Sequence, residues 1–223
     1  MSGLSEKHTN QQEINRQRVL LYIAGLIFCA FGIVITKKCQ WGISPDSSLP
    51  YVLELITGWS LGTWTMLFQF ANAFLQMIVL KKIKSLAIWL QFVYAILYGR
   101  LIDLVHMLVP SVPDQIAFHI LYLLIGVVCT AVGLYLLTQM NIVADSLISF
   151  VKAVSQITNT SLGKVKNIYD ITLVIIAVVV SLIFTHQLQA IGVATLVSAI
   201  CVGRLMHWCK GHVPVKGYEP IFV

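Results

Sequence analysis

The sequence predicts an all-α membrane protein: six transmembrane helices in two inverted three-helix repeats, each repeat with a short amphipathic or re-entrant helix. Three observations carry that expectation. The first is composition. Of 223 residues, 58% are hydrophobic and only 11% charged, and the mean hydropathy is +0.85. Soluble domains run at about 45–50% apolar and about 25% charged, so the departure on both counts points to lipid. The second is six apolar runs, each close to the length of about 20 residues that crosses a bilayer. The third is a half-hidden repetition of polar junctions between those runs.

The elements follow in chain order. Residues 1–18, "MSGLSEKHTNQQEINRQR", are polar and read as a cytoplasmic segment rather than a signal peptide. The run at 19–36 is too long for a signal core and has no small-residue cleavage site after it, so it reads as a retained first span. "LPYVLELI" is short and mixed, with "SPDSSLP" supplying capping chemistry, and reads as a short helix. Spans at 62–80 and 86–108 complete a first repeat, 19–108. A linker, 109–114, precedes the second repeat, 115–208, with spans at 115–138, 167–185 and 189–208. Inside it "DSLISFVKAVSQI" is a second short helix, with Asp145 and Ser146 at its capping positions. Residues 209–223 form a C-terminal tail.

Basic residues orient the chain. With six spans and an inside N-terminus, Lys7, Arg16, Arg18, Lys81, Lys82, Lys84, Lys152, Lys164, Lys166, Lys210 and Lys216 fall on the cytoplasmic side, and Lys37 and Lys38 opposite. Positive charge collects in cytoplasmic loops, so both termini are expected in the cytoplasm. The same distribution accounts for the net charge of +6. Without aromatic–basic interleaving it gives no support for nucleic acid as a partner. Membrane lipid is the partner expected, and a homodimer stays open.

The repetition joins "ITGWSLGTW" to "ITNTSLGKV": Ile56, Thr57, Ser60, Leu61 and Gly62 match Ile157, Thr158, Ser161, Leu162 and Gly163 at one fixed offset, 101 residues. "FG" at 31–32 matches "VG" at 132–133, "ISPD" at 43–46 matches "IVAD" at 142–145, and "GRLI" at 99–102 matches "GRLM" at 203–206. The order is the same in both halves, with small slips that fall in loops. Three spans per unit is an odd number, so the second copy is expected upside down, as in inverted-repeat secondary transporters.

Polar residues inside the spans mark the candidate site. A charge at the bilayer centre costs about 2.5–3.5 kcal/mol on insertion scales, so each needs a reason. Arg100 and Arg204 are repeat-equivalent, and a guanidinium fork matches carboxylate or phosphate oxygens. Arg100 also has Asp103 and His106 on its face, which fits a local ion pair, and Arg204 fits snorkelling to headgroups. Thr65, Gln69, Asn72 and Gln76 form one polar stripe, either a pathway lining or glue between helices. The repeat mate of Gln69 is Asp170, which could pair with Lys166 or serve as a coupling carboxylate. Asp46 and Asp145 correspond too. Each precedes a short helix, as a cap or, if the helices re-enter, as a group facing a substrate.

The stretch "GIVITKKCQWGISPDSSLPYVLELITGWSLGTW" resembles the YczE/YyaS/YitT group of bacterial integral membrane proteins, and "SLGKVKNIYDITLVIIAVVV" with the glycine-bearing last span is similar to it as well. The resemblance covers most of 19–208 and implies a multi-span protein of the bacterial plasma membrane with an internal repeat. It implies no substrate.

Together these features predict a small secondary transporter or exporter of a small organic anion or zwitterion, with an arginine-lined central site of Arg100, Arg204, Gln69, Asn72, Asp170, Asp46 and Asp145. Alternatives are a lipid-phosphate translocase, or a substrate-binding membrane subunit or accessory partner of a larger transport complex. No cofactor is expected. "HWCKGH" lacks standard zinc spacing. No P-loop or HExxH motif is present, and "GWSLG" at 58–62 spells GxSxG only as the polar junction before a span, so an enzyme is not expected. The five cysteines have no close pairing and read as small core hydrophobes.

Overall fold

The computed structural model describes residues 2–188, 190–213, 215, 217 and 218, with 2–15 described by backbone alone. Lys216, one of the charges used for orientation, and the end of the tail from 219 lie outside the described residues. The described chain is helical: α1 (Ser2–Lys38), α2 (Pro45–Thr57), α3 (Leu61–Leu80), α4 (Leu86–Leu108), α5 (Ile116–Met140), α6 (Ser146–Ile157), α7 (Leu162–Thr185) and α8 (Val193–His212). Five segments are long and apolar enough to cross a membrane: Arg16–Lys38 of α1, and α3, α4, α5 and α7. This is a multi-pass membrane protein, and many large apolar side chains point outward from the bundle, as a lipid-facing surface requires. The sixth expected span corresponds to α8, which is 20 residues long but does not reach the same apolarity. Its second half carries Arg204, His207, Lys210 and His212.

Two antiparallel helices, α1 and α5, form the centre of the bundle. Small residues allow the approach. A Cβ at Gly25 would stand 3.1 Å from Gly133 O, and one at Gly32 would stand 2.8 Å from Gly126 O. The thiol of Cys29 lies over Thr130 O between them. Without a hydrophobic driving force in lipid, close backbone packing of this kind is what holds spans together. One end of the pair is fixed by Arg18, whose Nε and Nη2 donate to Met140 O (2.7 Å) and Asn141 O (3.1 Å). At the other end Thr36 lies against Gly126.

The remaining helices pack around this pair. Helix α4 lies beside α1, and α8 beside α5. Ala194 joins Leu123 and Val127, while Cys209 joins Tyr135 and Leu136, so α8 runs parallel to α5 along most of its length. Helix α2 packs on α7, and α6 on α3. Helix α3 starts at the end of the bundle where α1 finishes: Ser60 meets Asp103 of α4, and Lys37 meets His106 one turn on. Helix α7 finishes at that same end, where Ala190 just beyond it accepts from Ile43 N. The two Ser-Leu-Gly junctions therefore sit at opposite ends of the bundle.

The short helices are built differently from each other. Helix α2 has Pro45 in its first turn, where a missing N–H costs nothing, and ends at Gly58 in the left-handed region (φ 74°). It starts four residues before the expected "LPYVLELI", because Pro at the first position favours helix entry. Helix α6 is capped by Asp145, whose Oδ1 accepts from Leu147 N (2.9 Å) and Ile148 N (3.2 Å). All five cysteines are free thiols.

Candidate functional site

The polar stripe of α3 faces inward. Thr65, Gln69, Asn72 and Gln76 are 6%, 5%, 1% and 8% exposed, so the stripe is interior and turned away from lipid. Helix α4 contributes buried Gln91 and Tyr94 to the same region. The chain reaches this depth from α5 by a tight reversal. Asn141 closes α5 in the left-handed region (φ 46°), and Tyr22 OH donates to Val143 O at 2.9 Å. Two residues later Asp145 caps α6 and meets the stripe. Its Oδ2 accepts from Gln69 Nε2 and from Tyr94 OH (3.3 Å). Gln69 stands near the middle of α3, and Tyr94 is the ninth of 23 residues of α4. The N-terminus of α6 therefore lies at mid-length of two spans.

From the other side Tyr169 of α7 donates to Asn72 Oδ1 at 2.6 Å, while Asn72 Nδ2 donates to Phe68 O at 2.9 Å. Asp170 is next along α7 and is held by Lys166 one turn earlier. Asp46, in the first turn of α2, stands within electrostatic reach of Asp145, Tyr169 and Asp170 alike. The site thus joins one carboxylate, Asp145, to an amide of α3 and a tyrosine of α4, with Tyr169 of α7 on Asn72 and with Asp46 and Asp170 in its surroundings. Among the described residues several of its oxygens are buried without a hydrogen-bond partner: the acceptors Asp46 Oδ1 and Gln69 Oε1 and the hydroxyls of Thr65 and Ser146, with Gln76 Oε1 and Gln91 Oε1 further along. A buried acceptor left without a donor costs about 1–3 kcal/mol, so such a set is suited to a group that brings hydrogen-bond donors or positive charge.

Of the residues singled out in the sequence, Gln69 meets Asp145 here and Asn72 lies one turn further along the same stripe, while Asp170 pairs with Lys166 and Asp46 lies nearby at the start of α2. Arg100 and Arg204 do not join them: both side chains are exposed, on the flanks of α4 and α8. Asp103 does not turn to Arg100. It accepts from Ser60 Oγ and Gly62 N, each at 2.9 Å, and so caps the start of α3. The ion pair of Lys166 with Asp170 has the i, i+4 form the spacing suggests. His119 stacks on Trp41 with ring centroids 5.6 Å apart and shares a hydrogen bond with Cys39 O. In "HWCKGH", Cys209 is buried while His207 and His212 are exposed, and His212 stacks on Trp208. Among the described residues no three His, Cys, Asp or Glu side chains gather as a metal ion would need.

Sequence reasoning missed Tyr94 and Tyr169. Both are aromatic residues in apolar helices and look like core or interface. The available signal was the helical spacing that puts Tyr94 one turn from Gln91, and the adjacency of Tyr169 to Asp170.

A bundle of apolar spans around a buried polar centre defines a class, the multi-pass membrane proteins with an interior polar site. Residues 16–211 match a family described as a family of unknown function (DUF6198), and the chain belongs to that family. No curated protein and no solved structure matches the chain.

Proposed function

We propose that the chain is a small secondary transporter of six spans in two inverted repeats, with α8 as the sixth span and α2 and α6 as re-entrant half-helices. The observation that carries this reading is the hydrogen bond of Gln69 with Asp145 at mid-length of α3. It brings the start of a short helix to the depth where broken helices of secondary transporters hold their substrates. The repeat supports it through exchanged contacts. Gly25 on Gly133 and Gly32 on Gly126 are the same contact with the two halves swapped. Asn72 with Tyr169 and Phe68 with Leu173 are related in the same way. Asp145 beside Gln69 has its counterpart in Asp46 near Asp170.

The polarity of the centre favours a solute with a positive group, cationic or zwitterionic. The Asp145 carboxylate and amide oxygens meet there, and the arginines point away. The lipid-phosphate reading draws on a different observation, the exposure of Arg100 and Arg204 on the flanks of α4 and α8. The likeness of 32–64 to the YczE/YyaS/YitT group fits a bacterial plasma membrane with both termini cytoplasmic, and we carry that placement as part of the proposal.

The test is solute counterflow in proteoliposomes, with panels of cationic, zwitterionic and anionic metabolites and with fluorescent phospholipids in parallel. Exchange of a cationic or zwitterionic solute that is lost in Asp145→Asn is the expected result. Lipid movement that depends on Arg100 and Arg204 and ignores Asp145 would replace this reading with the translocase.

A further inference from the structure

The two halves of the bundle differ at one joint. In the first half α3 and α4 close on each other where Gly62 meets Gly99, and a Cβ on either glycine would strike the backbone of the other. Asp103 locks the joint one turn further on, through Ser60 Oγ and Gly62 N. The matching residues of the second half are Gly163, Gly203, His207 and Ser161. Among the described residues, a Cβ on Gly163 or Gly203 would meet nothing within 4 Å. Ser161 and His207 are exposed, and α7 is the least buried of the five apolar spans. Helices α7 and α8 have no contact comparable to that of α3 with α4, although the other principal contacts have counterparts: α1 on α4 with α5 on α8, α2 on α3 with α6 on α7, and α3 on α6 with α7 on α2.

We infer that this is one of two conformations of the same chain, and that in the other α8 seats on α7 with Gly203 against Gly163 while α4 leaves α3. The inference rests on the inverted-repeat reading of the previous subsection. The closed joint already demonstrates that this pattern of residues packs. Packed interfaces tend to have discrete arrangements, so a joint of glycines is suited to being open or closed rather than to intermediate states. The chain also supplies the reason why the first joint is the closed one here. Asp103 provides two hydrogen bonds across α3 and α4, and its counterpart is His207, which has no carboxylate to offer the start of α7. The joints lie at opposite ends of the bundle, one beside the end of α1 and one beside the start of α7. Exchanging them opens the polar centre to opposite faces of the membrane in turn.

Cysteine bridging in the full chain, embedded in membranes and carrying Cys209→Ala, tests this. One variant carries Ser161→Cys with His207→Cys, and a reference carries Ser60→Cys with Asp103→Cys. A disulfide needs Cα atoms within about 7 Å, so a bridge reports a closed joint. The 161–207 bridge is expected to form within one chain, to be lost when Gly203→Leu is added, and to increase when Asp103→Ala is added. Gly203→Leu is tolerated in the conformation described here because the site is open, and the reference bridge in a Gly203→Leu background verifies that the protein is folded. Absence of the 161–207 bridge, a bridge only between two chains, or a bridge indifferent to Gly203→Leu overturns the inference. The bridge requires no solute. Its failure leaves the transporter reading standing, and failed counterflow in a bridging protein removes transport while leaving the two conformations.

Discussion

Gln69 and Asp145, 76 residues apart in sequence, share a hydrogen bond in the interior of the bundle. The same carboxylate caps α6 and accepts from Tyr94, so it ties α3, α4 and α6 together. Asp145→Ala removes the cap, worth about 1 kcal/mol, and strands the Gln69 amide and the Tyr94 hydroxyl, at about 1–3 kcal/mol each. Its melting temperature in detergent is expected well below that of the parent. Asp145→Asn keeps a capping oxygen but sets an NH2 against the Gln69 amide, which must turn its oxygen to it, so it is expected to melt between the parent and Asp145→Ala while losing the negative charge.

Glycines on α1 and α5 are expected to tolerate no side chain. Gly32→Leu drives a side chain into Thr130 and Gly126, and overpacking of this kind costs about 1–3 kcal/mol or more. Size-exclusion chromatography should show a loss of monodisperse protein. Gly163→Leu, where nothing stands within 4 Å, should elute as the parent does.

Loss of the Asp103 carboxylate leaves Ser60 Oγ without that acceptor and Gly62 N without its side-chain partner. Asp103→Ala is expected to lower stability by about 1–3 kcal/mol. Asp103→Asn retains one acceptor oxygen and is expected to lose less. Thermal melts of the two variants side by side check the order.

Orientation is open to direct measurement. Lys84→Cys in the loop between α3 and α4 and Asp114→Cys in the loop between α4 and α5 lie at opposite ends of α4. An impermeant maleimide applied to intact cells should label Asp114→Cys, and Lys84→Cys only after permeabilisation.

Much of the fold was legible as apolar length. The second and third spans, 62–80 and 86–108, match α3 and α4 within a residue, because "KKIKS" between them breaks the apolar run. The sixth expected span was less legible: Arg204, His207 and Lys210 dilute α8, which falls short of the apolarity of the five spans and joins the bundle by packing on α5. In the site, the stripe from Thr65 to Gln76 could be read because 3.6-residue periodicity fixes which residues share a face. What meets that face could not. Asp145 reaches Gln69 only because the chain reverses at Asn141, a contact no local spacing encodes. Arg100 and Asp103 show the converse error. Spacing of three residues permits an ion pair, yet Asp103 finds two donors at the start of α3 and Arg100 faces outward.

The glycine face that α1 turns to α5 has a consequence for biosynthesis. Cys29 emerges from the ribosome about a hundred residues before Thr130, the residue that covers it. Throughout the insertion of α2, α3 and α4 the first helix waits in the membrane with its notched surface unfilled. Assembly of the centre is therefore a late event, and it leaves a long interval in which a membrane chaperone or a neighbouring nascent chain has access to that surface.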